Sequence, residues 1–185
     1  MKSTFLLSML FVTMVISAQE QPSRSALLVV DVQEEFTRVR MDSVRAAAFM
    51  DAVNSAIEEH RADEVIFVQA NLRALSISLK GIKVIPVGEQ DLDYRLNRMD
   101  DDPVFSKVKS SAFTSDELVE YLEVNNIKHV YLSGLLLEAC ISSTAIEGVK
   151  KGYEVTVIKE AVISAKEEQK EKLLDKLEKK GVEME

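Results

Sequence analysis

Apolar residues fall along the chain in two alternating patterns. Ser25 to Asp31, "SALLVVD", is a continuous apolar run ending in a carboxylate, the pattern of a strand buried on both faces of a parallel sheet. Asp42 or Ser43 can cap a helix running to about Arg61, with Val44, Ala47, Ala48, Ala52, Val53 and Ile57 at helical spacing. Glu64 to Gln69 reads as a second buried strand. Lys83 to Val87 reads as a short third, which Pro86 confines to an edge or a strand end. Residues 88–112 are polar and irregular and predict a long loop, a place where function concentrates. Thr114 and Glu117 have capping-box spacing and open a helix to about Val124. A strand follows over Lys128 to Ser133, then a helix from about Cys140 to Lys151 that Gly152 terminates. Glu154 to Ile158 predicts another strand, Glu167 to Lys180 a charged amphipathic helix, and "GVEM" a last short strand. Strands that alternate with helices imply βαβ units and an open, mostly parallel sheet with helices on both faces, three α/β/α layers in all. Ligands bind such sheets at the carboxyl ends of the strands.

Composition changes this picture at the N-terminus. Lys2, the apolar run Phe5–Ile16 and the small pair Ser17-Ala18 have the form of a secretory signal over residues 1–18, leaving a single domain over 19–185. The expected location is outside the cytoplasm, periplasmic or secreted, with no membrane attachment after cleavage. A formal charge of −8 disfavours nucleic acid and anionic lipid as partners and leaves a small-molecule substrate. The composition, 46% hydrophobic with six glycines and three prolines, excludes disorder.

The single cysteine, Cys140, cannot form an internal disulfide, so in an exported chain it is an intermolecular bridge, a reactive thiol or a small buried hydrophobe. Its position, in the turn after a strand and at the start of a helix, points to reactivity. The helix dipole and free amides there lower a thiol pKa, and the same amides can hold an oxyanion. Asp31 ends another strand at the same sheet edge, and apolar neighbours should raise its pKa. "KVKSSAF" supplies Lys107 and Lys109, and a lysine beside Asp31 would stabilise carboxylate and thiolate together.

Three segments together resemble the isochorismatase-like hydrolase superfamily, the cysteine hydrolases. They are "LLVVDVQEEF" with Asp31, Gln33 and Phe36; "KVKSSAF", with Lys107 four residues before Ser111; and "VYLSGLLLEACISSTAIEGVKKGYEVTVIKEAV", with Gly134, Cys140, Thr144, Ala145, Gly152 and Ala161. The resemblance implies a Rossmann-like three-layer fold and a triad of Asp31 as proton acceptor, Lys107 as electrostatic partner and Cys140 as nucleophile. Lys109 is the alternative lysine if the loop slides. It further implies an oxyanion hole from the backbone N–H groups of Leu136 and Cys140, a cis peptide between Leu135 and Leu136, and a pocket touching Gln33, Phe36 and Phe113. Self-association is also implied. The resulting expectation is hydrolysis of a small amide or related C–N bond through a thioester. The alternatives are vinyl-ether hydrolysis of the isochorismatase type, with no duty for Cys140, and a binding protein without turnover. The chain departs from the nicotinamidase pattern where an Asp-x-His metal motif would stand, reading "QANLRALS". His60 and His129 sit in structural settings, so neither a metal nor another cofactor is expected.

Overall fold

The computed structural model describes residues 23–71, 73–78, 81–86 and 91–185, those of 73–78 and 81–86 by their backbone alone. Residues 1–18, read as a signal, lie outside the described residues. The strands are β1 (Arg24–Val30), β2 (Glu64–Ala70), β3 (Arg73–Ser78), β4 (Gly81–Pro86), β5 (Val104–Lys107), β6 (Ile127–Leu135), β7 (Glu154–Ile163) and β8 (Glu183–Met184). The helices are α1 (Ser43–Glu59), α2 (Asp116–Val124), α3 (Ser142–Lys151) and α4 (Lys170–Glu178).

Six strands form one sheet in the order β5-β2-β1-β6-β7-β8, and every pairing in it is parallel. The continuous apolar run of β1 follows from its central place. Leu28 and Val30 face the layer built by α2, α3 and α4, with Leu118, Leu122, Ala145, Leu174 and Leu177. Leu27 and Val29 face α1, with Phe49, Met50, Val53, Ala56 and Ile57. Both faces of the strand are therefore covered, and alternation is lost.

Several expected elements shift. The buried stripe of α1 is Ala46, Phe49, Met50, Val53, Ala56 and Ile57, whereas Val44 is 80% exposed and Ala47 and Ala48 are exposed. The bulky Phe49 and Met50 set the facing side, and the small alanines yield to them. Lys83 to Val87 is expected from sequence as a short third strand, at an edge or a strand end. Residues 81–86 instead form an antiparallel hairpin with β3, a separate two-stranded sheet. The supposed long loop contains β5, whose four residues are too few to show a pattern. Thr114 and Glu117 do not cap α2. Ser115 does, its side chain accepting from the Leu118 N–H, while the Thr114 hydroxyl donates to the Ser111 carbonyl. β6 and β7 are longer than expected and run on to the edge where the site lies.

Candidate active site

Register places the chemistry. Val30 at the end of β1 pairs with Val68 of β2 on one side and Gly134 of β6 on the other, and Ala70 of β2 pairs with Lys107 of β5. The residues that follow these pairs converge at the carboxyl edge of the sheet. Asp31 leaves β1 with φ 58, a left-handed turn that aspartate tolerates better than most residues, and its N–H donates to the Val68 carbonyl at 2.8 Å. A Cβ on Gly134, at φ 118, would overlap the Val30 carbonyl, so only glycine lets β6 approach β1 this closely. The Leu135–Leu136 peptide is cis. Leu137–Ile141 then forms a π-helical turn that carries Cys140 into α3, with the Leu136 carbonyl accepting from Ala139 N at 3.0 Å and Ile141 N at 3.2 Å.

Asp31, Lys107 and Cys140 meet here. The Lys107 Nζ lies 2.9 Å from Asp31 Oδ2, 3.3 Å from Cys140 Sγ and 3.2 Å from the Lys109 carbonyl oxygen. Those three contacts occupy the three protons of the ammonium, and the Lys107 side chain is 1% exposed. Lys109 contributes its backbone to the cluster and leaves its own residue exposed. Burial raises the Asp31 pKa, and the Lys107 charge with hydrogen bonds from Cys140 and Lys107 offsets only part of that rise. Burial also pushes the Cys140 thiol up, to about 11. The adjacent Asp31 anion adds to the rise and Lys107 works against it. The lowered thiol pKa expected from a helix start is thus reversed: Cys140 precedes α3 in a π-turn, and a carboxylate faces its sulfur. Both shifts favour the protonated forms, of the thiol and of the carboxyl.

The expected pocket residues divide. Phe36 lines a cavity of about 330 Å³ with Arg40, Met41, Asp42, Arg45, Leu135, Leu136 and Ala165, so this space opens along the cis turn. Gln33 is fully buried and does structural work: its side-chain oxygen accepts from Ala70 N at 2.8 Å and its amide nitrogen donates to the Ala70 carbonyl at 3.2 Å, fastening β2 behind the site. Phe113 is a core residue, 3% exposed, its ring centroid 5.0 Å from that of Tyr153. It fills the layer between sheet and α3, where a Cβ on Gly148 would crowd it. The resemblance implied a pocket position for Phe113; the short helical turn Ala112–Thr114 instead turns the ring inward.

One tie went unread in the sequence. Thr144 is fully buried; its hydroxyl donates to the Cys140 carbonyl at 2.7 Å and accepts from Ala112 N at 3.0 Å. It joins the segment after Lys107 to the turn bearing Cys140. Thr144 is among the residues that carry the family resemblance, but neither that motif nor its place one helical turn past Cys140 reveals the bridge to Ala112.

The donors for a metal are not assembled here. Among the described residues no three His, Cys, Asp or Glu side chains are grouped as an ion requires. His60 bonds Asp63 and packs on Tyr131, and His129 bonds the Thr156 hydroxyl and stacks on the same ring.

At the carboxyl edge of a parallel sheet, a buried lysine thus bridges a carboxylate and a thiol. The chain belongs to the isochorismatase family, whose isochorismatase domain model matches residues 25–185, and the family is one of hydrolases. Among curated proteins it is similar to the secreted isochorismatase effector Isc1 of Verticillium dahliae, 25% identical over 75% of this chain and 72% of that protein. Among solved structures it resembles the zinc-bound pyrazinamidase of Pyrococcus horikoshii. That match has a TM-score of 0.72 and 23% identity over 88% of this chain and 98% of the other. The N-carbamoylsarcosine amidase of Thermoplasma acidophilum matches at TM-score 0.73 and 21% identity, over 88% of this chain and 95% of the other. Among the described residues no helix is long and apolar enough to cross a membrane.

Proposed function

We propose that this protein hydrolyses a small amide or related C–N bond, without a metal, through a thioester on Cys140. The observation that carries the reading is the Lys107 ammonium, buried and in contact with both Asp31 and Cys140. The Asp31 carboxylate takes the thiol proton as sulfur attacks the carbonyl carbon. Lys107 keeps the developing thiolate and the carboxylate from paying the full cost of burial. The oxyanion is held by the N–H groups of Leu136 and Cys140 at the two ends of the turn. Collapse breaks the C–N bond, and the leaving amine takes the proton from Asp31. Water then gives a proton to Asp31 and attacks the thioester; the carboxylic acid departs and the proton returns to sulfur. The raised pKa of Asp31 suits this traffic, since a carboxyl that both accepts and donates works best nearer the operating pH.

The test is ammonia release from a panel of small primary amides by wild type, Cys140→Ala and Asp31→Asn. Turnover by wild type and none by either variant is expected. Full activity in Cys140→Ala would end the mechanism. The likeness to a secreted isochorismatase effector favours a second reading, vinyl-ether hydrolysis with Asp31 as the acid. It is recognised by a carbonyl product without ammonia and by activity that survives Cys140→Ala. Export of the mature chain from about Gln19 belongs to the same proposal, and N-terminal sequencing of the protein recovered outside the cytoplasm tests it.

A further inference from the structure

Asp31 is aimed by a turn, not by a strand. It leaves β1 at φ 58, and the residues after it close on themselves. Gln33 N donates to the Asp31 carbonyl at 2.8 Å, and Phe36 N and Thr37 N donate to the Gln33 carbonyl at 3.0 and 3.1 Å. The segment 91–95 lies against this turn. Asp93 N donates to the Val32 carbonyl at 2.9 Å, Glu34 N donates to the Asp91 carbonyl at 3.1 Å, and Gln33 and Leu92 form an antiparallel bridge. A single bridge of this kind is weak alone. A buried carboxylate reinforces it. The Asp93 side chain is 0% exposed. Its Oδ1 accepts from Arg95 N at 3.0 Å and Arg95 Nε at 2.9 Å, and its Oδ2 accepts from Arg95 Nη2 at 2.6 Å and from the Thr37 hydroxyl. The same hydroxyl lies 3.0 Å from the Gln33 carbonyl oxygen. The Arg95 carbonyl accepts from Asn54 Nδ2 at 2.9 Å, which fastens the segment to α1.

Every bond of the Asp93 side chain but one stays within its own segment, and the exception reaches Thr37. Apolar packing would hold the segment at less cost in desolvation. A charge with directional donors fixes a position, which an apolar contact does not. We propose that Asp93 and Thr37 are positioning residues that aim the Asp31 carboxyl at Cys140. This role rests on the proposed hydrolysis for one point, that Asp31 exchanges a proton with the thiol. The turn has two supports. On one side the Gln33 side chain grips Ala70, which pairs with Lys107. On the other the Asp93–Thr37 bond locks the segment 91–93 onto Val32, Gln33 and Glu34. Without the second support Asp31 is free to swing from the sulfur, and a displacement of about 1 Å is enough to slow a proton transfer greatly.

Iodoacetamide labelling of Cys140 at pH 8 in the exported protein reads the aim of Asp31 without any turnover, because the facing carboxylate opposes loss of the thiol proton. Asp93→Asn and Thr37→Val should each label roughly threefold faster than wild type, the direction expected of Asp31→Asn, and Thr37→Ser should return to the wild-type rate. Added to Asp31→Asn, Thr37→Val should change nothing further, since its route to the thiol is already gone. Asp102→Asn controls for stability. It weakens the pair with Arg61 at the β5 end of the same connection, and should lower the melting temperature with labelling unchanged. Thr37→Val serves alone if Asp93→Asn does not fold. Wild-type rates in these variants, equal acceleration by Asp102→Asn, or further acceleration in the double variant overturns the proposal. Ammonia release is read separately. Wherever wild type turns over an amide, Asp93→Asn and Thr37→Val should lower kcat about tenfold and leave KM within about twofold. A raised KM with kcat unchanged overturns the role. The expected labelling pattern without ammonia from any amide keeps the positioning role and overturns amide hydrolysis; ammonia from wild type with labelling unmoved by the variants does the reverse.

Discussion

The three contacts of the Lys107 ammonium make the behaviour of a single thiol readable. Asp31 opposes ionisation of Cys140 and Lys107 favours it, so the two substitutions should move the thiol in opposite directions. Iodoacetamide labelling followed by mass spectrometry should keep accelerating well above pH 8.5, where a free thiol titrates, toward a midpoint near 11. Asp31→Asn should lower that midpoint and Lys107→Met should raise it. A wild-type midpoint at or below that of a free thiol would show that burial and Asp31 do not hold the thiol proton. Lys107→Met should also cost stability, about 3–5 kcal/mol in urea unfolding, because it strands a buried carboxylate. Thr144 acts through Cys140 rather than on substrate. Thr144→Val keeps the shape and loses both hydrogen bonds, and should lower kcat more than it raises KM, with Thr144→Ser restoring much of the loss. A fall in melting temperature with kinetics unchanged would make Thr144 merely structural. At this scale Asp31 could be placed from sequence because it ends an apolar strand pattern, and Cys140 because it stands in the turn between a strand and a helix. Lys107 could not be placed that way, since only β5 and its pairing with Ala70 bring it to them. Phe113 was placed in the pocket by resemblance alone, and a shared motif does not say whether its ring turns toward ligand or into the core.

At the scale of elements, caps and close approaches decide where the site residues end up. Ser115 lies one residue past the position that capping-box spacing selects, after a short helical turn that spacing cannot reveal. Ser115→Ala should therefore cost about 1 kcal/mol, while Glu117→Ala, at an exposed position outside any box, should stay within about 0.5 kcal/mol. Urea midpoints distinguish the two; equal losses would restore the box. Gly134 has less latitude. Its left-handed φ and the Val30 carbonyl in its path leave no room for a methyl, so Gly134→Ala should separate β6 from β1 and abolish soluble expression or cooperative unfolding. The β3–β4 hairpin was only half legible, because Pro86 correctly argued against a central strand without saying that residues 81–86 pair with 73–78.

For the whole molecule, alternating strands and helices were enough to forecast a parallel three-layer sheet, since a strand covered on both faces loses its alternation and says so in sequence. What that pattern omits is how buried titrating groups set stability. Burial raises Asp31, so its folded-state pKa lies above the ordinary 3.8. It contributes stability fully present below pH 3.8 and lost as pH rises through that raised value. Asp93 and Asp63 have the opposite sign. Burial pushes each up, but hydrogen bonds from Arg95 and Thr37 to Asp93, and from Ser25 and His60 to Asp63, outweigh it and leave both below 3.8. Their stabilisation is present above pH 3.8 and lost as pH falls through the lowered values. Urea midpoints taken from pH 7 down to pH 2 should show two opposed slopes: a gain in mild acid as Asp31 takes its proton, then a loss in strong acid. Asp31→Asn should flatten the first, whatever its overall stability with Lys107 left unpaired. Asp93→Asn should flatten part of the second, because the replacement cannot be protonated. If Asp31→Asn left the mild-acid slope intact, the carboxyl would be ionising as an ordinary surface group does, and the proposed proton transfer between Cys140 and Asp31 would lose its physical basis.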